Sequence, residues 1–276
     1  MIFETTPGAS SSPVILHVPH ASRELTPAAR ESLLITDAQL AEELDHLTDA
    51  HTDLIASQAA DRARERPWVF RNRWSRLVVD PERFPDDREE MRAVGMGAVY
   101  TAGFAGRKLR DDDLVRDEAL LRTHFVPYSA ALAGLVADRL AAAGHAIIVD
   151  VHSYATVLLP YEIHREGPRP PVCLGTDRDH TPGWLSSAAA AAFPENAPNT
   201  PFEGCYVPLD YYRTDPRVSS LMIEIRRDGY MTEPGGPPHE GLPRLAAALT
   251  GLIDSISGPV NSISGPAAGR PRPRSR

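Results

Sequence analysis

Three short runs restrict this chain more than any other feature: Val14-Ile15-Leu16, Ala146-Ile147-Ile148-Val149 and Leu221-Met222-Ile223. Each is apolar at consecutive positions, rich in branched side chains and too short for a buried helix. Such a run suits a strand covered on both faces of a parallel sheet. Each run also leads into acid–base or metal-ligating side chains. His17 and His20 follow the first, Asp150 and His152 the second, Glu224 and Arg226 the third. In open α/β sheets, ligands collect beyond the carboxyl ends of the strands. Histidines, carboxylates and an arginine brought to one edge are the material of a metal-assisted hydrolase.

Helical and strand patterns alternate between these runs. They predict an α/β class: a single domain with a mixed, mostly parallel sheet flanked by helices. Thr26-Pro27 and Thr36-Asp37 are helix starts. The second helix is expected to run through Leu40, Leu44, Leu47 and Leu54-Ile55. Further strands are expected at Pro67–Phe70, Leu77–Asp80, Val157–Ile163 and Val172–Gly175. A long helix from Leu114 to Ala143 should break at Pro127 and stop at Gly144. Two more helices are expected at Pro182–Phe193 and Pro243–Ile256, with a loop at Pro194–Pro201. The glycine-rich piece from Gly95 to Gly106 reads as a long loop, either a lid or a surface excursion. Residues 1–12 read as a flexible N-terminus and 13–257 as the folded domain. Residues 258–276 read as a disordered Gly/Ser/Pro/Arg tail that buries no core.

The formal net charge of -8 argues against non-specific nucleic-acid binding, which needs a basic face. A small anionic substrate stays compatible, because local arginines outweigh a global balance. No apolar stretch approaches the roughly 18 residues of a membrane span. Met1 to Ser12 lack the basic start and apolar core of a secretory signal. Cys173 and Cys205 are the two cysteines, with no Cys-x-x-Cys pair, so a reducing cytoplasm is the expected location.

His20 and His152 are the strongest nitrogen donors, each just past an apolar run. His17, inside its strand, is the weaker candidate and has a structural reading. A hydrolytic zinc site commonly adds a third ligand and leaves the fourth position to water. Asp45, Asp49 and Asp53, four residues apart, would line one helix face, and spacing does not choose among them. Asp150 is two residues from His152, on the same side of a strand, and suits a supporting role. Glu224, between Ile223 and Ile225, needs a partner or a use, because burying an isolated charge is costly. It either pairs with Arg226 or serves as a general base with a raised pKa. Arg76, Arg83 and Arg226 are candidates for carboxylate recognition or oxyanion stabilisation.

Six segments together resemble one family. They are His17-Val18-Pro19-His20-Ala21-Ser22, Thr48-Asp49-Ala50-His51, Ser75-Arg76 through Asp80-Pro81-Glu82-Arg83, Asp150-Val151-His152-Ser153, Pro201-Phe202-Glu203-Gly204-Cys205-Tyr206 and Ile223-Glu224-Ile225-Arg226-Arg227. The ordered set resembles the N-formylglutamate amidohydrolase family. The resemblance implies a zinc-carboxypeptidase-like α/β fold and hydrolysis of an N-formyl amide. In that family N-formyl-L-glutamate gives formate and glutamate, a reaction of histidine degradation. It implies one divalent metal ion, zinc first, on His20, Asp49 and His152. It implies Glu224 as general base, with Arg76 and Arg226 at the reacting group. Arg83, Asp80, Tyr206 and Ser22 would then lie around a small anionic N-acyl amino acid.

The chain departs from the family pattern in its pocket. The family's Asp-Leu-Asn-Arg is Asp80-Pro81-Glu82-Arg83 here, its Tyr-His is Tyr128-Ser129, and its Gly-Gly-Tyr is Gly204-Cys205-Tyr206. These departures keep open hydrolysis of another N-acyl amino acid or small peptide. A non-catalytic binding protein on the same scaffold is the reading from a different class. The same ligands also hold Mn²⁺, Fe²⁺ or Co²⁺.

Overall fold

The computed structural model describes residues 1–163 and 167–258. Seven strands form one mixed sheet: β1 (Phe3–Thr6), β2 (Val14–Val18), β3 (Trp68–Asn72), β4 (Ala146–Tyr154), β5 (Val172–Gly175), β6 (Asn196–Pro198) and β7 (Val218–Arg226). Their spatial order is β1-β3-β2-β4-β7-β5-β6. The centre, β3-β2-β4-β7, is parallel, while β1 and β5 join it antiparallel. The expected α/β class and mixed sheet are therefore present.

Alternation along the central strands explains how the sheet is covered. Val14, Leu16 and Val18, Ile147, Val149 and Val151, and Leu221, Ile223 and Ile225 pack on one face. That face carries α3 (Thr52–Arg62), α6 (Gly183–Ala192) and α7 (Gly241–Ile256). On the opposite face Ile15, Ala146 and Ile148 pack against Leu132, Leu135 and Val136 of α5 (Val126–Ala143). Farther along β2 and β4 that same face turns polar, with His17, Asp150 and His152 all buried. Burying these groups is costly unless they are paired, so the change of character marks the site.

Several local expectations are corrected. The helix expected across Asp37–Ile55 is two: α2 (Asp37–Leu47), opened by a Thr36–Gln39 capping box, and α3. Between them His51 takes a left-handed φ of 67°. The break follows from the linker's other bonds: the Asp49 amide donates to the His20 carbonyl, and Thr52 Oγ1 to the Asp49 carbonyl. The three aspartates therefore share no helix face. Asp45 pairs with Arg23 and Asp53 with Arg71, while Asp49 turns inward.

Leu77–Asp80 and Val157–Ile163 are not strands. Arg76–Val78 form a turn whose Leu77 carbonyl is taken by the buried Arg110. In the second segment Glu162 folds back to accept the Leu159 amide. The loop at Pro194–Pro201 contains β6, and the N-terminal segment contains β1, paired to β3. Pro127 does not end the long helix. A π turn at Leu121–Phe125 joins α4 (Leu114–Leu120) to α5 and absorbs the missing amide. The short α1 (Pro27–Glu31) is capped by Thr26 with Pro27 in its first turn. Gly95–Gly106 packs against the body, with Met96 and Tyr100 buried. The tail expected to be disordered lies, from residue 259, outside the described residues.

Candidate active site

Three side chains from three elements meet at one point. His20 follows β2, Asp49 lies in the α2–α3 linker, and His152 is near the end of β4. His20 Nδ1 is 3.2 Å from His152 Nδ1 and 3.6 Å from Asp49 Oδ2, and His152 Nδ1 is 3.1 Å from Asp49 Oδ2. Ligands about 2.0 Å from a tetrahedral zinc stand roughly 3.3 Å apart. The triangle matches that edge length, so the donors fit one such cation.

The far side of His20 is held by a hydrogen bond, and that of His152 faces two carboxylates. His20 Nε2–H donates to Asp80 Oδ1 at 2.8 Å, which leaves the Nδ1 lone pair facing the triangle. Asp80 Oδ2 in turn accepts the Tyr100 hydroxyl at 2.7 Å and Arg76 Nη2 at 3.0 Å. His152 Nε2 lies 3.1 Å from both Asp150 Oδ1 and Glu82 Oε2, within ion-pair distance but without a hydrogen bond to either. Asp150 Oδ1 also accepts His17 Nδ1–H at 2.9 Å, and His17 Nε2 takes the Tyr128 hydroxyl at 2.6 Å. With both nitrogens bonded, His17 belongs to the support, not to the ligand set. Such outer partners fix the tautomer and orientation of ligand histidines.

Electrostatics favour a cation. Asp49, Asp80, Glu82, Asp150 and Glu224 face Arg76, Arg83 and Arg227. Among these groups carboxylates outnumber guanidiniums, although burial raises the pKa of Glu82 and of Glu224. Burial opposes a charged His152, yet Glu82 and Asp150 hold its pKa well above the ordinary value. Burial also opposes a charged Asp49, but His152 and His20 keep its carboxyl well below the ordinary range. The cluster attracts positive charge strongly enough to overcome desolvation.

Glu224 faces the triangle from β7, directly opposite His152 in the strand pairing. Burial pushes its carboxyl up to about 7. His152 opposes that rise, Asp49 adds to it, and Arg76 and Arg227 oppose it. Its Oε2 is buried without a hydrogen-bond partner. An unpaired carboxylate with that pKa suits a general base.

His20, Asp49, Arg76, His152 and Glu224 line a cavity of about 760 Å³, large enough for a small metabolite. A lobe of about 370 Å³, lined by Tyr206 and Asp150 among others, adjoins it at Glu82 and Arg83. Arg83 lies 3.6 Å from Asp80 and 3.8 Å from Glu89, and its Nε has no hydrogen-bond partner. It lines both lobes and is one guanidinium available to a ligand carboxylate. Arg76 lines the cavity but is largely committed to Asp80.

Three expected substrate or catalytic residues sit elsewhere. Asp80 is fully buried beneath His20 and supports it. Ser22 Oγ donates to the Arg73 carbonyl and accepts the Glu24 amide, a turn contact outside the cavity lining. Arg226 pairs with Asp228 and the Arg169 carbonyl, because its long side chain follows the strand end outward. The neighbouring Arg227 points inward instead, to Asp49. Sequence reasoning missed Tyr100 and Arg227. The second of an Arg-Arg pair at a strand end is a faint signal, and Tyr100 carries none.

The sequence model of the N-formylglutamate amidohydrolase family matches residues 12–231. The chain belongs to the N-formylglutamate amidohydrolase family. Its members are hydrolases of carbon–nitrogen bonds in linear amides, and the matched range contains every cavity residue named above. A crystal structure of N-formylglutamate amidohydrolase from Ralstonia eutropha JMP134 is similar, with a TM-score of 0.78 at 22% identity, covering 93% of this chain and 97% of that one. A gene product of Agrobacterium tumefaciens is similar at a TM-score of 0.64 and 20% identity, covering 95% of this chain and 96% of that one. At these identities the likeness shows the fold. No curated protein matches the chain.

Proposed function

We propose that the protein is a metal-dependent amidohydrolase that cleaves N-formyl-L-glutamate, or a related N-acyl amino acid, to formate or the corresponding acid and the free amino acid. The observation that carries this reading is the His20–Asp49–His152 triangle with Glu224 facing it. We assign the activity to residues 13–257, and zinc is the first metal to test. When bound, the ion supplies Lewis acidity to the acyl carbonyl and acidifies water.

The chain's own residues do the rest. Glu224 takes a proton from water as the oxygen adds to the acyl carbon. It then delivers that proton to the departing amide nitrogen, so formate and an amine are released with atoms balanced. Arg83 holds the substrate carboxylate, and Arg76 lies beside the carbonyl oxygen as charge develops there. Arg226, paired outside the cavity, has no direct part in this scheme. A cytoplasmic location is part of the same proposal. Both cysteines are free, and no helix among the described residues is long and apolar enough to cross a membrane.

The test is formate release from N-formyl-L-glutamate by the purified chain, lost on chelation and restored by Zn²⁺. Turnover that persists after complete metal removal would sink the proposal. One observation favours a different acyl amino acid within the same reaction. Glu82 places a carboxylate beside Arg83 where both lobes meet, a poor neighbour for a second substrate carboxylate. A panel of N-formyl and N-acetyl amino acids separates the two readings by kcat/KM.

A further inference from the structure

The two oxygens of Asp49 keep different company. Oδ2 faces the ligand triangle, 3.1 Å from His152 Nδ1. Oδ1 accepts Arg227 Nη2 at 3.1 Å. The Arg227 guanidinium is buried, and each of its three nitrogens donates a hydrogen bond. Nη1 donates to the His46 carbonyl at 2.7 Å, Nε to Ser153 Oγ at 3.2 Å, and Nη2 also to the Ser153 carbonyl at 3.3 Å. It lies outside the cavity lining, so it is not a hand for substrate. Its anchors belong to the end of α2, just before the linker that carries Asp49, and to β4, which carries His152.

We propose that Arg227 is the positioning residue that makes Asp49 a one-oxygen ligand. An aspartate carboxyl rotates over a broad, two-fold torsional well and is free to offer either or both oxygens. A two-oxygen grip uses a coordination position that a hydrolytic zinc site keeps open. A charge-assisted bond to Oδ1 removes that option and fixes the plane of the carboxylate. It also compensates the burial of Asp49 in a linker that no regular helix holds. The inference rests on the metal-dependent reading of the triangle.

The test uses Arg227→Met and Arg227→Lys in the full chain, with zinc affinity measured against a chelator and the visible spectrum of the Co²⁺-loaded protein. Loss of a supporting partner lowers metal affinity by about 10- to 100-fold. Arg227→Met is expected in that range, with the intense four-coordinate cobalt bands replaced by weaker five-coordinate ones, and Arg227→Lys is expected to recover part of both. Wild-type affinity and spectrum in both variants would overturn the inference and leave the proposed function standing. If neither variant folds, X-ray absorption of the zinc-loaded wild type decides. Four light neighbours support a one-oxygen Asp49, and five or more overturn it. Failure of the wild type to bind zinc or cobalt at all would overturn the proposed function, and this inference with it.

Discussion

Glu224 stands directly across the β4–β7 pairing from His152, so the proposed base and a proposed metal ligand occupy one face of the sheet on adjacent strands. Adjacent strands are about 4.8 Å apart, close enough for a water molecule to sit between the two groups. Glu224→Gln keeps the shape of the side chain and removes its basicity. The variant should bind metal as the wild type does and lose about 10²-fold or more in kcat. Formate release with parallel metal analysis measures both, and retained turnover would remove Glu224 from the mechanism.

Activity should fail on the acid side. A base works only when deprotonated, so the rate falls as pH drops through the pKa of Glu224. Burial places that pKa at about 7 without metal. A nearby dication favours the carboxylate, so the acid limb of kcat/KM for the loaded enzyme should lie below 7. A limb above neutrality, or none, would point to another group.

Metal binding should release protons. His152 is held well above its ordinary pKa by Glu82 and Asp150 despite burial, so the metal-free chain carries a proton there at neutral pH. A ligand imidazole nitrogen must be free, and binding therefore expels that proton. Calorimetric zinc titrations in buffers of different ionisation enthalpy should show net proton release, and zinc affinity should weaken as pH falls.

Tyr100 reaches His20 through Asp80. Tyr100→Phe removes one hydroxyl from a fully buried site without opening a large cavity. Zinc affinity should fall by about 10-fold while the fold persists. Chelator competition and circular dichroism check the two halves of that statement.

Arg83 and Arg226 should behave differently. Losing a bond to a charged group costs about 1.5–3 kcal/mol. Arg83→Ala should therefore raise KM by roughly 10- to 100-fold with a smaller change in kcat. Arg226→Ala, which among the described residues breaks hydrogen bonds to Asp228 and a loop carbonyl, should leave both nearly unchanged.

How much of this was legible in the chain varied with the kind of contact. His20 and His152 follow apolar runs, and runs of that kind are strands, so their delivery to one edge was readable. Glu224 was readable from the cost of burying a charge between two isoleucines. Asp49 was not readable from spacing. An even ladder at Asp45, Asp49 and Asp53 looks like one helix face, whereas the left-handed His51 breaks it. Asp80 looked like a pocket residue, but its contacts to His20 and Tyr100 join segments that no local pattern connects. Strand alternation favoured Arg226 over Arg227 at the site. β7 ends at Arg226, and the turn of 3₁₀ helix that follows aims Arg227 inward.

Strand β4 divides its side chains by parity. Ile147, Val149 and Val151 belong to the core, while Asp150 and His152 belong to the proposed site. The first set sustains the folded state. The second keeps ionisable groups dry at a cost that apolar replacements would relieve. Along one strand, tolerance to substitution should therefore alternate between two currencies, abundance at one residue and turnover at the next.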